Sequence, residues 1–264
     1  MKKKIALITG GYSGEAVISY KSANNIEKNL DTDKWETYKI DINPEGWNYL
    51  APGGEKTPVD KNDFSITIGG QKINFDAVLV GLHGTPGEDG KLQGYFDTLG
   101  IPYTSCDTAT SALTFNKRYT VAVAAFAGIH VAKSVHLFKH IPVTVESILA
   151  TLQLPVFVKP NNGGSSIGMS KVKEPEALQA ALDKAFAEDD QVLVEEFIKG
   201  RELTIGVFKS NGQVIALPIT EIIAKNEFFD YEAKYEGASE EITPAQCDES
   251  IAEKVRDAAK KAYA

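Results

Sequence analysis

An apolar run that ends in lysine, proline and paired glycines is one way for a chain to handle phosphate. LPVFVKPNNGGSSIGMS (154–170) has that form. Lys159 offers the cation, and Pro160 favours an extended chain around it. Gly163 and Gly164 clear side chains ahead of Ser165 and Ser166, so backbone N–H groups and hydroxyls can reach phosphate oxygens. The spacing is not G-x-x-x-x-G-K-[ST], which excludes a Walker A loop, and a flexible hairpin turn is the competing reading. In VLVEEFIKGRE (192–202), Glu195 and Glu196 precede Phe197, and Glu202 follows Glu196 by six residues. An extended backbone there can read an adenine edge and Glu202 can accept from ribose hydroxyls, although a polar-topped strand looks similar.

Three further segments carry candidates. GGYSGE (10–15) puts a glycine turn between an apolar run and a helical pattern, without the G-x-G-x-x-G spacing of a dinucleotide site. Glu15 at the helix start would repel a pyrophosphate; it either holds an ammonium group or merely stabilises its helix. In VGLHGTPGEDG (80–90), His83 follows a buried-looking strand, on the rim where open α/β sheets usually bind ligands. A structural histidine is the plainer alternative, with Glu88 and Asp89 as loop and cap residues. EFFDYEAKY (227–235) sets Phe228, Lys234 and Tyr235 in a long polar stretch, Glu221 to Gln246, where aromatics suggest a lid that closes over something.

The elements that must position these residues follow from periodicity. KIALIT (4–9), WETYKIDI (35–42) and DAVLVGL (76–82) read as strands, and Val17, Ile18, Ala23, Ile26 and Leu30 mark a helix between the first two. A Pro/Gly-rich loop (43–62), a hairpin (64–75) and a helix from Lys91 to Leu99, capped by Asp89, complete a doubly wound α/β domain ending near Thr104. Beyond it the pattern predicts one alanine-rich helix (110–128), strands at 154–159, 191–198 and 202–208, and a helix at 175–187. A final amphipathic helix carries Ile251, Val255, Ala258 and Ala262 on one face.

Composition narrows the classes. A net charge of −8 and a pI near 5.2 offer no basic field for a nucleic acid, so a small substrate is expected. The apolar run after the N-terminal lysines stops at Gly10, short of the roughly 7–15 residues of a signal peptide. No stretch approaches the ~20 apolar residues of a membrane span. Cys106 and Cys247 lie far apart, which fits a reducing, cytoplasmic compartment.

GGYSGEAVIS, LHGTPGEDGKLQG, VKPNNGGSSIGMSKV, VEEFIKGRE and DYEAKY occur in this order, and together they resemble the D-alanine–D-alanine ligase family from residue 4 to the chain end. The resemblance implies an N-terminal α/β substrate domain (1–105) followed by an ATP-grasp fold. The latter has a central subdomain (106–197) and an incomplete C-terminal one (198–264), with ATP between them. It implies that Lys117, Lys159 and Ser166 meet ATP phosphates, that Glu195, Glu196, Phe197 and Ile198 surround adenine, and that Glu202 binds ribose. Phe228 packs near the nucleotide and Lys234 near the transferring phosphate. Glu15, linked with Ser165 and Tyr235, holds the ammonium of a first D-alanine, and His83 lies near its carboxylate. A homodimer is implied as well.

The family's magnesium ligands and a carbonyl-side arginine fall beyond the equivalent of the 250–264 helix. The resemblance therefore implies a C-terminally truncated chain that makes no dipeptide by itself, and no metal ligand is assigned within it. Three rival readings remain: a D-alanine–D-lactate or D-alanine–D-serine ligase, an ATP-binding regulator without activity, and a dinucleotide oxidoreductase with Asp41 as its ribose acid.

Overall fold

A computed structural model describes residues 2–224 and 239–264. The chain divides into two compact units, Met1–Asn116 and Lys117–Ala264.

In the first unit, β1 (Lys3–Gly10) lies between β2 (Trp35–Asn43) and β7 (Ala77–Val80), parallel to both. Strands buried on both faces need unbroken apolar runs, and β1 is buried from Ile5 to Gly10. Helix α1 (Ala16–Asn29) connects β1 to β2 and buries Ile18, Ser19 and Ala23. Val17, expected on that face, is 56% exposed, because successive helical residues turn by about 100°.

The stretch expected as a loop at 43–62 instead extends the sheet. Strands β3 (Gly46–Leu50) and β4 (Lys56–Asp60) continue it antiparallel to β5 (Ser65–Ile68) and β6 (Gln71–Ile73), in the order β6-β5-β4-β3-β2-β1-β7. Proline and glycine hid these strands. Pro58, however, precedes the part of β4 that pairs with β5, so one of its sides lacks a neighbour. The apolar content of this arm is aromatic: Trp47, Phe64, Phe75, Tyr95 and Phe96 pack together, with Phe64 and Phe96 fully buried and 4.9 Å apart between ring centres. Helix α2 (Lys91–Leu99) starts after Gly90, which takes the cap position in a left-handed conformation. Asp89 still accepts the Lys91 N–H at 3.3 Å.

The predicted single helix at 110–128 is two: α3 (Thr108–Phe115) closes the first unit and α4 (Lys117–Phe126) opens the second. Asn116 between them is extended, at φ −91° and ψ 108°. The break follows from what α4 caps onto. Asn161, fully buried, accepts the Lys117 N–H on its carbonyl (3.0 Å) and the Arg118 N–H on its side chain (2.9 Å). Amides that a helix start leaves unpaired are thus satisfied from across the chain.

The second unit begins with an antiparallel sheet ordered β10-β9-β11-β8. Its strands are β8 (Ser134–Phe138), β9 (Val156–Pro160), β10 (Ser170–Val172) and β11 (Gln191–Glu196). Val156, Val158, Val192 and Val194 turn to one face and bury there with Leu178, Leu182 and Ala185 of α6 (Leu178–Glu188) and with Ile148 of α5 (Val145–Leu149).

The strand expected at 202–208 is divided between two sheets. β12 (Glu202–Thr204) joins β15 (Thr220–Ala224) and β16 (Ser239–Ile242), while β13 (Val207–Ser210) pairs with β14 (Gln213–Ala216). The last helix, α7 (Glu249–Tyr263), packs on β13 and β14. Its buried residue is Ala252, with Val255 and Ala259 half-buried; Ile251, Ala258 and Ala262 are exposed, so the inward stripe is displaced from the expected one.

Because Asn161 ties α4 to the end of β9, Asn161→Ala should destabilise the second unit by about 1–3 kcal/mol, the range for a buried partner left unsatisfied. The urea midpoint of its unfolding reads this; an unchanged midpoint would mean that the Arg118 amide is satisfied otherwise.

Candidate active site

The first unit gathers one set of the candidate residues at the carboxyl ends of its parallel strands. The glycine turn after β1 is held by Gly11 N–H to Ile42 O (2.7 Å) and Tyr12 N–H to Thr85 O (2.8 Å). Glu15 is the cap residue of α1, only 5% exposed, and its side chain makes no cap hydrogen bond. Its carboxylate lies against Gly84 (φ +74°), where a Cβ would come within 2.6 Å of Glu15 Oε2. Only glycine fits there. The loop that bears His83 is closed by the Glu88 carboxylate, which accepts the Gly84 N–H at 2.6 Å, and by Asp89, which accepts from the Thr85 hydroxyl at 2.6 Å.

His83 itself is fastened to α1. Its N–H donates to Ser19 Oγ at 2.8 Å, and its Nε2 lies 2.9 Å from Ser22 Oγ. A cleft of 440 Å³ lies here, lined by Ser22, Asn25, His83, Glu88, Thr104 and Ser105 among others. Asp41, the acid that an oxidoreductase would turn toward a ribose, is buried and engaged. Tyr20 donates to it at 2.9 Å and Asn43 at 2.8 Å. Burial, and then the bond to Asp41, push the Tyr20 hydroxyl up to about 12.

The second unit holds the other set on the face of its first sheet away from α6. Lys159 forms an ion pair with Glu195, their side chains 23% and 13% exposed. Cross-strand register sets Lys171 opposite Phe157, Phe157 opposite Glu195, and Glu195 opposite Ser134. The Lys171 ammonium lies 3.8 Å from the Phe197 ring centre, and Phe197 packs on Phe157 at 5.9 Å. This cation–aromatic pair involves a lysine that the sequence reading passed over, since the three-residue β10 is too short to show a period.

Glu196 is used differently from its neighbour. Its carboxylate accepts the Lys133 N–H at 2.7 Å and fixes the entry into β8. Ile198 and Glu202 are exposed.

The glycine loop leaves β9 at Asn161. Asn162 donates twice to Asp189, at 2.6 and 2.8 Å, and the Lys117 ammonium donates to Gly163 O at 2.6 Å. Ser165 and Ser166 are both left-handed, at φ 53° and 57°. Such a backbone costs of order 1–3 kcal/mol per residue and clusters where a loop clasps a ligand. Phe228, Lys234 and Tyr235, with most of the lid expected at Glu221–Gln246, lie outside the described residues. Among the described residues, no group of three or more His, Cys, Asp or Glu could hold a metal ion. No donor set for magnesium can be named from them. No described helix is long and apolar enough to cross a membrane.

An antiparallel sheet with two lysines around a glycine loop, joined to a second α+β part and preceded by an α/β unit, defines an ATP-grasp protein. The chain belongs to the D-alanine–D-alanine ligase family: residues 4–106 match "D-ala D-ala ligase N-terminus" and residues 115–264 match "D-ala D-ala ligase C-terminus". It is 47% identical over 263 residues to the D-alanine–D-alanine ligase of Parabacteroides distasonis, covering 100% of this chain and 80% of that protein. The crystal structure of VanG D-Ala:D-Ser ligase from Enterococcus faecalis matches with a TM-score of 0.80 at 33% identity, over 100% of this chain and 82% of that one. A D-alanine–D-alanine ligase from Bacillus anthracis complexed with ATP matches with a TM-score of 0.73 at 27% identity, over 99% and 77%.

His136 stands on the same sheet face, with Nε2 buried and without a hydrogen-bond partner among the described residues. Burial first, and the Arg118 charge second, lower its pKa below the ordinary 6.5. The folded ring therefore resists a proton that the unfolded chain accepts. The stability it contributes is complete above 6.5 and is lost as pH falls through the lowered value. Between pH 7 and 5, wild type should lose more stability than His136→Gln; equal slopes in denaturant titrations would refute this.

Proposed function

We propose that this protein joins two D-alanines at the expense of ATP, in the synthesis of peptidoglycan precursors. The carboxylate of the first substrate takes the γ-phosphoryl group and becomes an acyl phosphate. The amine of the second D-alanine then attacks the acyl carbon, and phosphate leaves. D-alanyl-D-alanine, ADP and phosphate are the products. A free carboxylate is a poor electrophile, so the enzyme must gather positive charge where phosphoryl charge develops.

The observation that carries this reading is the cross-strand group of Lys159, Glu195, Phe157 and Lys171 beside the loop that Lys117 holds. In the proposal, Lys117, Lys159 and Ser166 meet the phosphates, Glu195, Glu196, Phe197 and Ile198 surround adenine, and Glu202 takes the ribose. Phe228 packs on the nucleotide and Lys234 serves the transferred phosphate. Glu15 holds the first ammonium, acting with Ser165 and Tyr235, and His83 meets the first carboxylate.

Residues 106–197 and 198–264 are taken as the two ATP-grasp subdomains, and residues 1–105 as the substrate domain. Magnesium enters only as the counter-ion of ATP. A cytoplasmic homodimer belongs to the same reading; the two free cysteines support the compartment, and sedimentation velocity reads the assembly.

Phosphate release from the full-length protein, with D-alanine, D-lactate and D-serine as second substrates, tests the assignment. D-alanine should be preferred. Preference for D-serine would favour the activity named for the VanG relative. ATP binding without phosphate release would leave a regulator.

Two substitutions test the site. Lys159→Ala removes a cation from the phosphates and should cost about 2–5 kcal/mol in ATP binding or phosphoryl transfer, as for truncating a desolvated charge partner. Wild-type affinity and rate would remove Lys159 from the site. Ser165→Ala with Tyr235→Phe should together cost clearly less in kcat/KM than the sum of the single losses, because residues acting as one unit are not additive. Strict additivity would separate the two.

A further inference from the structure

We propose that Ser22 is a positioning residue for His83, holding the imidazole in the tautomer that carries its proton on Nδ1. The inference rests on the reading above, in which His83 meets the carboxylate of the first substrate.

Glu15, Ser19 and Ser22 stand at steps of four and seven residues and so share one face of α1. That face meets the loop after β7. Ser19 fixes the His83 main chain through the 2.8 Å bond from His83 N–H, with its own hydroxyl 3.3 Å from Glu15 O and 3.5 Å from His83 O. Ser22 then fixes the ring through Nε2 at 2.9 Å.

A hydroxyl has one proton to give. Among the described residues, His83 Nε2 is the one hydrogen-bond partner of Ser22 Oγ. If Ser22 donates, Nε2 must present its lone pair, and the neutral ring keeps its proton on Nδ1. Nδ1 makes no hydrogen bond to a described residue, so the edge left open is an N–H donor. A donor is what a carboxylate requires. The other tautomer would turn a lone pair toward it.

The test uses the protein labelled with [15N]histidine. Its four histidines are His83, His130, His136 and His140. Long-range 1H–15N spectra at pH 8, with His83 assigned by its loss in His83→Gln, should show Nδ1 protonated and Nε2 bare. Ser22→Ala should shift the ring toward the Nε2–H form, and Ser22→Thr should restore Nδ1–H. In kinetics of the full-length protein, Ser22→Ala should raise KM for D-alanine about two- to ten-fold, one hydrogen bond's worth, with little change in kcat. An Nε2–H ring in wild type, or an Nδ1–H ring that persists in Ser22→Ala, would overturn the proposal. An unchanged KM for D-alanine in His83→Gln would instead overturn the carboxylate role of His83, while the spectra still decide the tautomer.

Discussion

Everything in the second unit's first sheet depends on the two-residue period of β9 and β11. Val156, Val158, Val192 and Val194 must all turn the same way to bury against α6. Once they do, Phe157, Lys159 and Glu195 have only the other face to occupy. The antiparallel register then sets Glu195 opposite Phe157 and Leu193 opposite Lys159, which brings the Lys159 and Glu195 side chains together on the diagonal. A slip by one residue would put the lysine and the glutamate into the core and the valines into the site. The hydrophobic core is thus what aims the charges, and the glycine loop inherits its starting point from the end of β9.

The candidate residues were legible where their signal is local. A lysine before Pro-Asn-Asn-Gly-Gly, an acid pair before a phenylalanine and a glutamate at a helix start each announce themselves over a few residues. Long apolar runs such as β1 and β7 were legible for the same reason. What stayed hidden depends on partners far along the chain. Asn161 looks like one more loop residue until Arg118, 43 positions earlier, is found on its side chain. Ser22 looks like a helix-surface serine until His83, 61 positions later, meets it. Strands of three residues, such as β10 and β12, carry too little alternation to read, and the break at Asn116 has no glycine or proline to mark it. Glu195 and Glu196 form a single motif in the sequence, yet strand alternation sends one to Lys159 and the other to the Lys133 backbone.

In the first unit the constraint is one of approach rather than alternation. The loop after β7 runs close enough to α1 that Gly84 has no room for a side chain beside the Glu15 carboxylate. The same closeness lets two serines of one helix face reach a histidine on another element. Asp41 shows how firmly the fold excludes the dinucleotide alternative: the carboxylate that could have met a ribose is enclosed by Tyr20 and Asn43 beneath the glycine turn, where a Cβ on Gly10 would lie 2.5 Å from Asp41 Oδ1.

Trp47 gives the first unit a built-in optical reporter. Its indole N–H donates to the Tyr12 hydroxyl at 2.8 Å, and Tyr12 belongs to the glycine turn itself. The Lys61 ammonium sits 4.8 Å from the centre of its ring. Indole emission responds to nearby charge and to the hydrogen bond at its nitrogen, so a displacement of the turn is transmitted to the colour and yield of this one fluorophore. Trp35, the other tryptophan, starts β2 at the strand end away from the turn. Events at Glu15 and His83 can therefore be followed through the protein's own light, without a dye and without altering a residue of the site.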